Sequence, residues 1–168
     1  MTAGLPFRIG HGYDAHRFAE GRTLILGGVT IEHGQGLAGH SDADVLTHAV
    51  IDALLGAMAL GDLGGHFPSS DARWKDASSL DLLARARSMA EAAGGRVAQV
   101  DAVVYLERPK IANHVPRIRA ELARVLELPI DCVSVKATTT DGLGFVGQGE
   151  GAAASAVALV ALDKNGGA

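Results

Sequence analysis

The sequence predicts an α+β fold: one domain over residues 1–168, built on a mixed β-sheet with helices packed on one face. Three observations carry this reading. Strand-like and helix-like runs follow in the order strands, helix, helix, strand, helix, strand, strand. That order lacks the regular alternation of a doubly wound fold and segregates the helices into a layer on the sheet. The chain has 168 residues, 48% hydrophobic and 20% charged, which suits one globular core, and it shows no internal repeat or linker.

FRIGHGYDA and TLILGGVTI read as two strands joined by a turn near Glu20-Gly21. HSDADVLTHAVIDALLGAMALG reads as a helix over residues 41–60 with Ser41 as its N-cap. FPSSDARWKDAS is a polar loop. SSLDLLARARSMAEAAGG is a second helix, with Ser78 and Asp81 at capping-box spacing and Gly94-Gly95 as its stop. RVAQVDAVVYLE is a strand. Residues 113–128 form a third helix, where Pro116 is tolerated because it falls in the first turn. CVSVKAT and ASAVALVALD are strands, separated by the glycine-rich TTTDGLGFVGQGEG. AVALVALD and DAVVYLE are apolar on both parities, and a strand apolar on both faces is buried on both. One helix layer covers one face, so a second copy of the chain is expected on the other, an internal hairpin or loop being the alternative cover.

The net charge is −4 and no Lys/Arg cluster stands out, which argues against nucleic acid as the main partner. Cys132 is the only cysteine, which excludes an intramolecular disulfide and favours a cytoplasmic setting. MTAGLPFR lacks the pattern of a signal peptide. The most apolar stretch, residues 49–60, contains Asp52 and is too short to cross a bilayer, so no membrane partner is expected.

Asp14 and His16 lie two apart on a strand and so share a face. They suit a hydrogen-bonded pair and equally two metal ligands. The helix over 41–60 is apolar nearly all round, yet Asp44, His48 and Asp52 sit at i, i+4 and i+8 on one side. A histidine satisfied by two aspartates accounts for that stripe. So does a metal-binding His48 whose second ring nitrogen is oriented by a carboxylate. Asp14, His16 and His48 together make a three-ligand set with an open fourth position, the pattern of catalytic zinc. Such a set also suits a hydrolase of nucleotide diphosphates or a non-catalytic zinc scaffold.

RIGHGYDAHRF, GLAGHSDADV, SDADVLTHAVIDALLGA, GDLGGHFPSSD, ERPK and KATTTDGLGFVGQGEG resemble, in order and over nearly the whole chain, the 2-C-methyl-D-erythritol 2,4-cyclodiphosphate synthases. The resemblance implies a cytoplasmic phosphorus–oxygen lyase of non-mevalonate isoprenoid biosynthesis. It also implies a homotrimer with its sheets facing the threefold axis and active sites between subunits. Asp14, His16 and His48 would hold Zn2+, and Asp141 would hold Mg2+ or Mn2+ between the nucleotide phosphates. His40 and Ser41 resemble the family's phosphate-contacting pair, and Asp52, Asp62 and Gly64 the residues around the erythritol. Leu106, Pro109, Lys110, Ile111 and Ala112 resemble the cytosine pocket. Lys136, Ala137, Thr138 and Thr139 resemble the segment that holds the nucleotide phosphates, and Phe145 lies in the glycine-rich loop near the axis. Three positions depart from the family pattern: Ser69 stands where an acid is frequent, Asp141 where glutamate is common, and Gln148 where many members carry arginine.

Overall fold

The computed structural model describes residues 5–163. Strands β1 (Phe7–Ala19), β2 (Leu24–Leu26), β3 (Val29–Ile31) and β4 (Gly36–Leu37) come first. Helices α1 (Val45–Ala57), α2 (Leu63–His66) and α3 (Ser79–Ala92) follow. Then come β5 (Gly95–Tyr105), α4 (Val115–Leu126), β6 (Val133–Thr138), α5 (Gly144–Gly147) and β7 (Gly151–Leu162). The main sheet has the order β4-β1-β7-β5-β6, with β5 and β6 parallel and the other pairs antiparallel. The expected mixed sheet is therefore present, and Pro116 sits in the first turn of α4.

Helix α1 lies against β1 and β7. The approach is close because its contact strands carry little side chain. A Cβ on Gly10 would stand 1.8 Å from the Ala53 carbonyl oxygen, and one on Gly12 would stand 2.0 Å from that of Ala49. Ala154, Ala156 and Ala158 of β7 face the same way and are buried. Along β5 the buried parity is Val100, Ala102 and Val104. The opposite parity carries exposed Ile9, Tyr13 and Val157, which align across β1 and β7. One face of the sheet is thus covered by helices and the other is open in the single chain.

Four local expectations are corrected. TLILGGVTI does not pair with β1. It breaks at Gly27-Gly28, both in the left-handed region, into the separate β2–β3 hairpin, and β4 takes the edge beside β1. Helix α1 begins at Val45 with Asp44, not Ser41, as N-cap, because Ala43 at φ 58° interrupts the helical path. Ser78 precedes α3 without a side-chain cap, since Asp42 from the loop before α1 accepts the Ser79 N–H instead. Strand β7 starts at Gly151 rather than Ala154; a Cβ there would lie 2.3 Å from the His16 carbonyl oxygen, so glycine lets β7 pair alongside Arg17.

Candidate active site

Strand β1 and helix α1 bring the chemistry together. The β pleat turns Asp14 and His16 to the helix side, on the face where Gly10 and Gly12 admit α1. His48, one turn into α1 and 6% exposed, meets them. His16 Nε2 lies 2.8 Å from Asp14 Oδ2, His48 Nδ1 lies 2.9 Å from the same oxygen, and the two nitrogens are 3.2 Å apart. His16 Nδ1 donates to the Ala38 carbonyl oxygen at 2.6 Å, so Nε2 is the ring nitrogen turned toward Asp14 and His48 and open to a metal.

Burial works against ionising Asp14, yet the imidazoles of His16 and His48 beside it hold the carboxyl well below the usual carboxylate range. Burial likewise opposes a charge on His16, but the Asp14 carboxylate outweighs it and raises the imidazole above its ordinary value. Two nitrogens and one oxygen therefore converge on one point. Metal bonds of about 2.0–2.2 Å in a tetrahedron separate donor atoms by about 3.3–3.5 Å. The observed separations of 2.8–3.2 Å come close to that triangle, so the three side chains fit a single divalent ion.

These residues form one wall of a cavity of about 440 Å³. His40, Ser41, Asp52, Asp62 and Gly64 also line it, as does Ser69. His40 Nε2 stands 3.1 Å from the Asp71 carbonyl. Asp62 caps α2 by accepting from the Gly65 N–H at 2.8 Å. Asp52 accepts from the Leu63 N–H at 2.7 Å, and burial raises its carboxyl despite that bond.

The stripe of Asp44, His48 and Asp52 does not form the expected polar set. Asp44, fully buried, turns away to accept from the Gly27, Gly28 and Thr47 N–H groups and from the Thr47 hydroxyl, and so ties the β2–β3 hairpin to α1. Burial pushes its carboxyl up, and those four bonds oppose the shift. Each aspartate thus satisfies loop amides rather than His48, because a short side chain one turn away reaches backbone donors first. Phe67, Trp74 and Leu82 line the cavity too, and only their tertiary placement reveals them.

The remaining predicted residues gather elsewhere. Parallel pairing sets Tyr105 beside Thr138, and the Leu106 N–H donates to the Thr138 carbonyl at 2.9 Å. Leu106 and Ile111 are buried, Pro109, Lys110 and Ala112 adjoin them, and Ala137 precedes Thr138. Half-buried Thr139 follows, and then Asp141 on an exposed turn, in the left-handed region at φ 53°. Lys136 is held by Asp101 at 2.6 Å, and that ammonium lowers the Asp101 pKa. Phe145 is exposed on α5 and lines a second hollow with Arg17, Phe18 and Glu150.

Register places the two groups at the same end of the sheet, since His16 pairs with Ala152 and Tyr105 with Ala153. Those neighbours in β7 point to opposite faces. The Asp14–His16–His48 set is on the helix side, and Lys136 and Thr138 are on the open side.

The YgbB family matches residues 7–161. A 2-C-methyl-D-erythritol 2,4-cyclodiphosphate synthase of Salinibacter ruber is 61% identical over 91% of this chain and 98% of its own. One of Gloeobacter violaceus is 57% identical over 95% of this chain and 98% of its own. Among solved structures, a CDP-bound form of a synthase with that name superposes with a TM-score of 0.84 at 39% identity, covering 91% of this chain and 99% of its own. The IspF of Plasmodium falciparum in complex with CDP gives 0.82 at 31%, covering 96% and 100%.

Proposed function

The chain belongs to the YgbB family, and from that premise we infer that it converts 4-diphosphocytidyl-2-C-methyl-D-erythritol 2-phosphate to 2-C-methyl-D-erythritol 2,4-cyclodiphosphate and CMP in non-mevalonate isoprenoid biosynthesis. It is a lyase that forms a cyclic diphosphate. The observation that carries the reading is the convergence of Asp14, His16 and His48 on the cavity wall.

An oxygen of the 2-phosphate forms a bond to the β-phosphorus of the same molecule. The bond from that phosphorus to the bridging oxygen breaks, and CMP leaves with the oxygen. No protein nucleophile is required. The protein's task is to hold two ends of one flexible anion in line, which can supply roughly 7–11 kcal/mol of the barrier. Asp52, Asp62 and Gly64 hold the erythritol end, and His40 and Ser41 hold the phosphate beside it. Asp14, His16 and His48 would hold a zinc ion, which would draw charge from a phosphoryl oxygen. Asp141 would hold magnesium or manganese, which would supply positive charge against the nucleotide phosphates. Thr138 and Thr139, with Lys136 and Ala137, hold those phosphates. Leu106 and residues 109–112 bound the cytosine.

The active protein is a homotrimer of single-domain chains, with sheets facing the threefold axis and each site shared between neighbours. Two features support this. Ile9, Tyr13 and Val157 make the open face partly apolar. Lys136 and Thr138 also lie on the side of the sheet away from their own chain's metal ligands. A second copy joins one set to the other, and Phe145 then lies near the axis. The free thiol of Cys132 supports a cytoplasmic setting; among the described residues no helix is long and apolar enough to cross a membrane.

His48→Ala tests the assignment through CMP release and elemental analysis. Loss of both bound zinc and turnover in a folded protein is expected. Full turnover without metal would overturn it.

A further inference from the structure

We propose that Asp42 and Ser79 are positioning residues that fix which ring nitrogen of His48 faces the metal; this rests on the metal site proposed above. His48 is buried, and both of its nitrogens have partners. Nδ1 faces Asp14 and His16. Nε2 lies 2.9 Å from Ser79 Oγ and 3.1 Å from Ser41 Oγ. Among the described residues no carboxylate touches Nε2, so the usual carboxylate behind a metal-bound histidine is absent from direct contact.

It acts instead at one remove. Ser79, the first residue of α3, is fully buried, and its hydroxyl donates to Asp42 Oδ1. Asp42 Oδ2 accepts the Ser79 N–H at 2.9 Å, and Asp42 Oδ1 also accepts the Asp44 N–H at 3.2 Å, so the carboxylate is held from both sides. A carboxylate only accepts, and a serine hydroxyl has one hydrogen. With that hydrogen committed to Asp42, Ser79 Oγ offers His48 nothing but lone pairs. To bond Ser79, His48 Nε2 must carry the proton and donate it. A neutral imidazole with Nε2–H has its lone pair on Nδ1, the atom aimed at Asp14 and His16.

Ser41 completes the arrangement. Its Oγ accepts the Ala43 N–H at 3.2 Å and places a second hydroxyl oxygen 3.1 Å from Nε2. The relay joins residues 37 apart in sequence and ties the start of α3 to the site. A serine that served packing alone would affect stability without affecting the tautomer or the metal.

The test uses the full zinc-loaded chain and two readouts. One is the zinc dissociation constant, measured by competition with a chromophoric chelator. The other is long-range proton–nitrogen NMR of the His48 ring. The wild type should ligate through Nδ1 and show a slowly exchanging Nε2–H. Ser79→Ala should bind zinc roughly 10–100-fold more weakly and lose that slow exchange. Ser79→Thr, which keeps the hydroxyl, should restore both. Ligation through Nε2 in the wild type, or equal zinc affinity in Ser79→Ala, would overturn the relay while leaving the metal site standing. A wild type that takes up no zinc would overturn the metal site and the relay with it.

Discussion

Replacing Gly12 with alanine tests whether the strand–helix distance sets the metal site. The added Cβ would meet the Ala49 carbonyl oxygen at 2.0 Å, the Ala53 nitrogen at 2.7 Å and the Asp52 Cβ at 2.9 Å. The first two are backbone atoms and cannot rotate away. Relief to a tolerable contact needs β1 and α1 to separate by about 1 Å, and overpacking of this kind costs about 1–3 kcal/mol. For a chain of this size that lowers Tm by about 2–12 °C. The same displacement acts beside His48, while Asp14 and His16 ride on the other element. Metal sites tolerate errors of about 0.2 Å, so zinc affinity should collapse along with the modest loss of stability. Gly10→Ala is the control. Its Cβ would meet the Ala53 oxygen at 1.8 Å, a comparable clash one helical turn further from His48. Thermal unfolding and chelator competition on both variants separate the effects. Both should lose stability, and Gly12→Ala should lose far more zinc affinity. Equal retention of zinc in the two would refute the claim that the glycine contact sets the site.

Asp141→Asn should cut turnover sharply and weaken the response to magnesium or manganese; unchanged rates across a divalent-ion titration would remove Asp141 from the mechanism. Asp44 offers a pH test: because burial raises its pKa, the folded chain holds the proton to higher pH than the unfolded one. Its contribution to stability therefore declines as pH rises from the unfolded value of about 3.9 through the folded one. The urea-midpoint difference between wild type and Asp44→Asn should shrink over that interval, and a pH-independent difference would contradict the assignment. Val157→Asp places a charge on the open sheet face and should reduce the mass in sedimentation from three times 17.2 kDa to that of one chain; a wild type already monomeric would contradict the shared site.

What the sequence reveals of this site follows from periodicity. Asp14 and His16 share a face because strand side chains alternate, and His48 stands out as a polar group on a helix with no polar side to spare. The pairing of strand with helix is not encoded in either period. It depends on Gly10 and Gly12, whose small size has meaning only against the carbonyls of α1. Asp44 and Asp52 look like partners of His48 by spacing, yet they bond amides of Gly27, Gly28 and Leu63 that are distant in sequence. Ser79 looks like one of two serines at a helix start, and its contact with His48 exists only once α3 packs on α1. The doubly apolar strands do report a face that stays open in the single chain.

The most direct test is phosphorus NMR of the purified protein with 4-diphosphocytidyl-2-C-methyl-D-erythritol 2-phosphate and divalent metal. Equal amounts of CMP and a cyclic diphosphate are expected, with the two phosphorus signals of the latter coupled to each other. A linear phosphate product formed by attack of water, or no product at all, would contradict the proposed reaction.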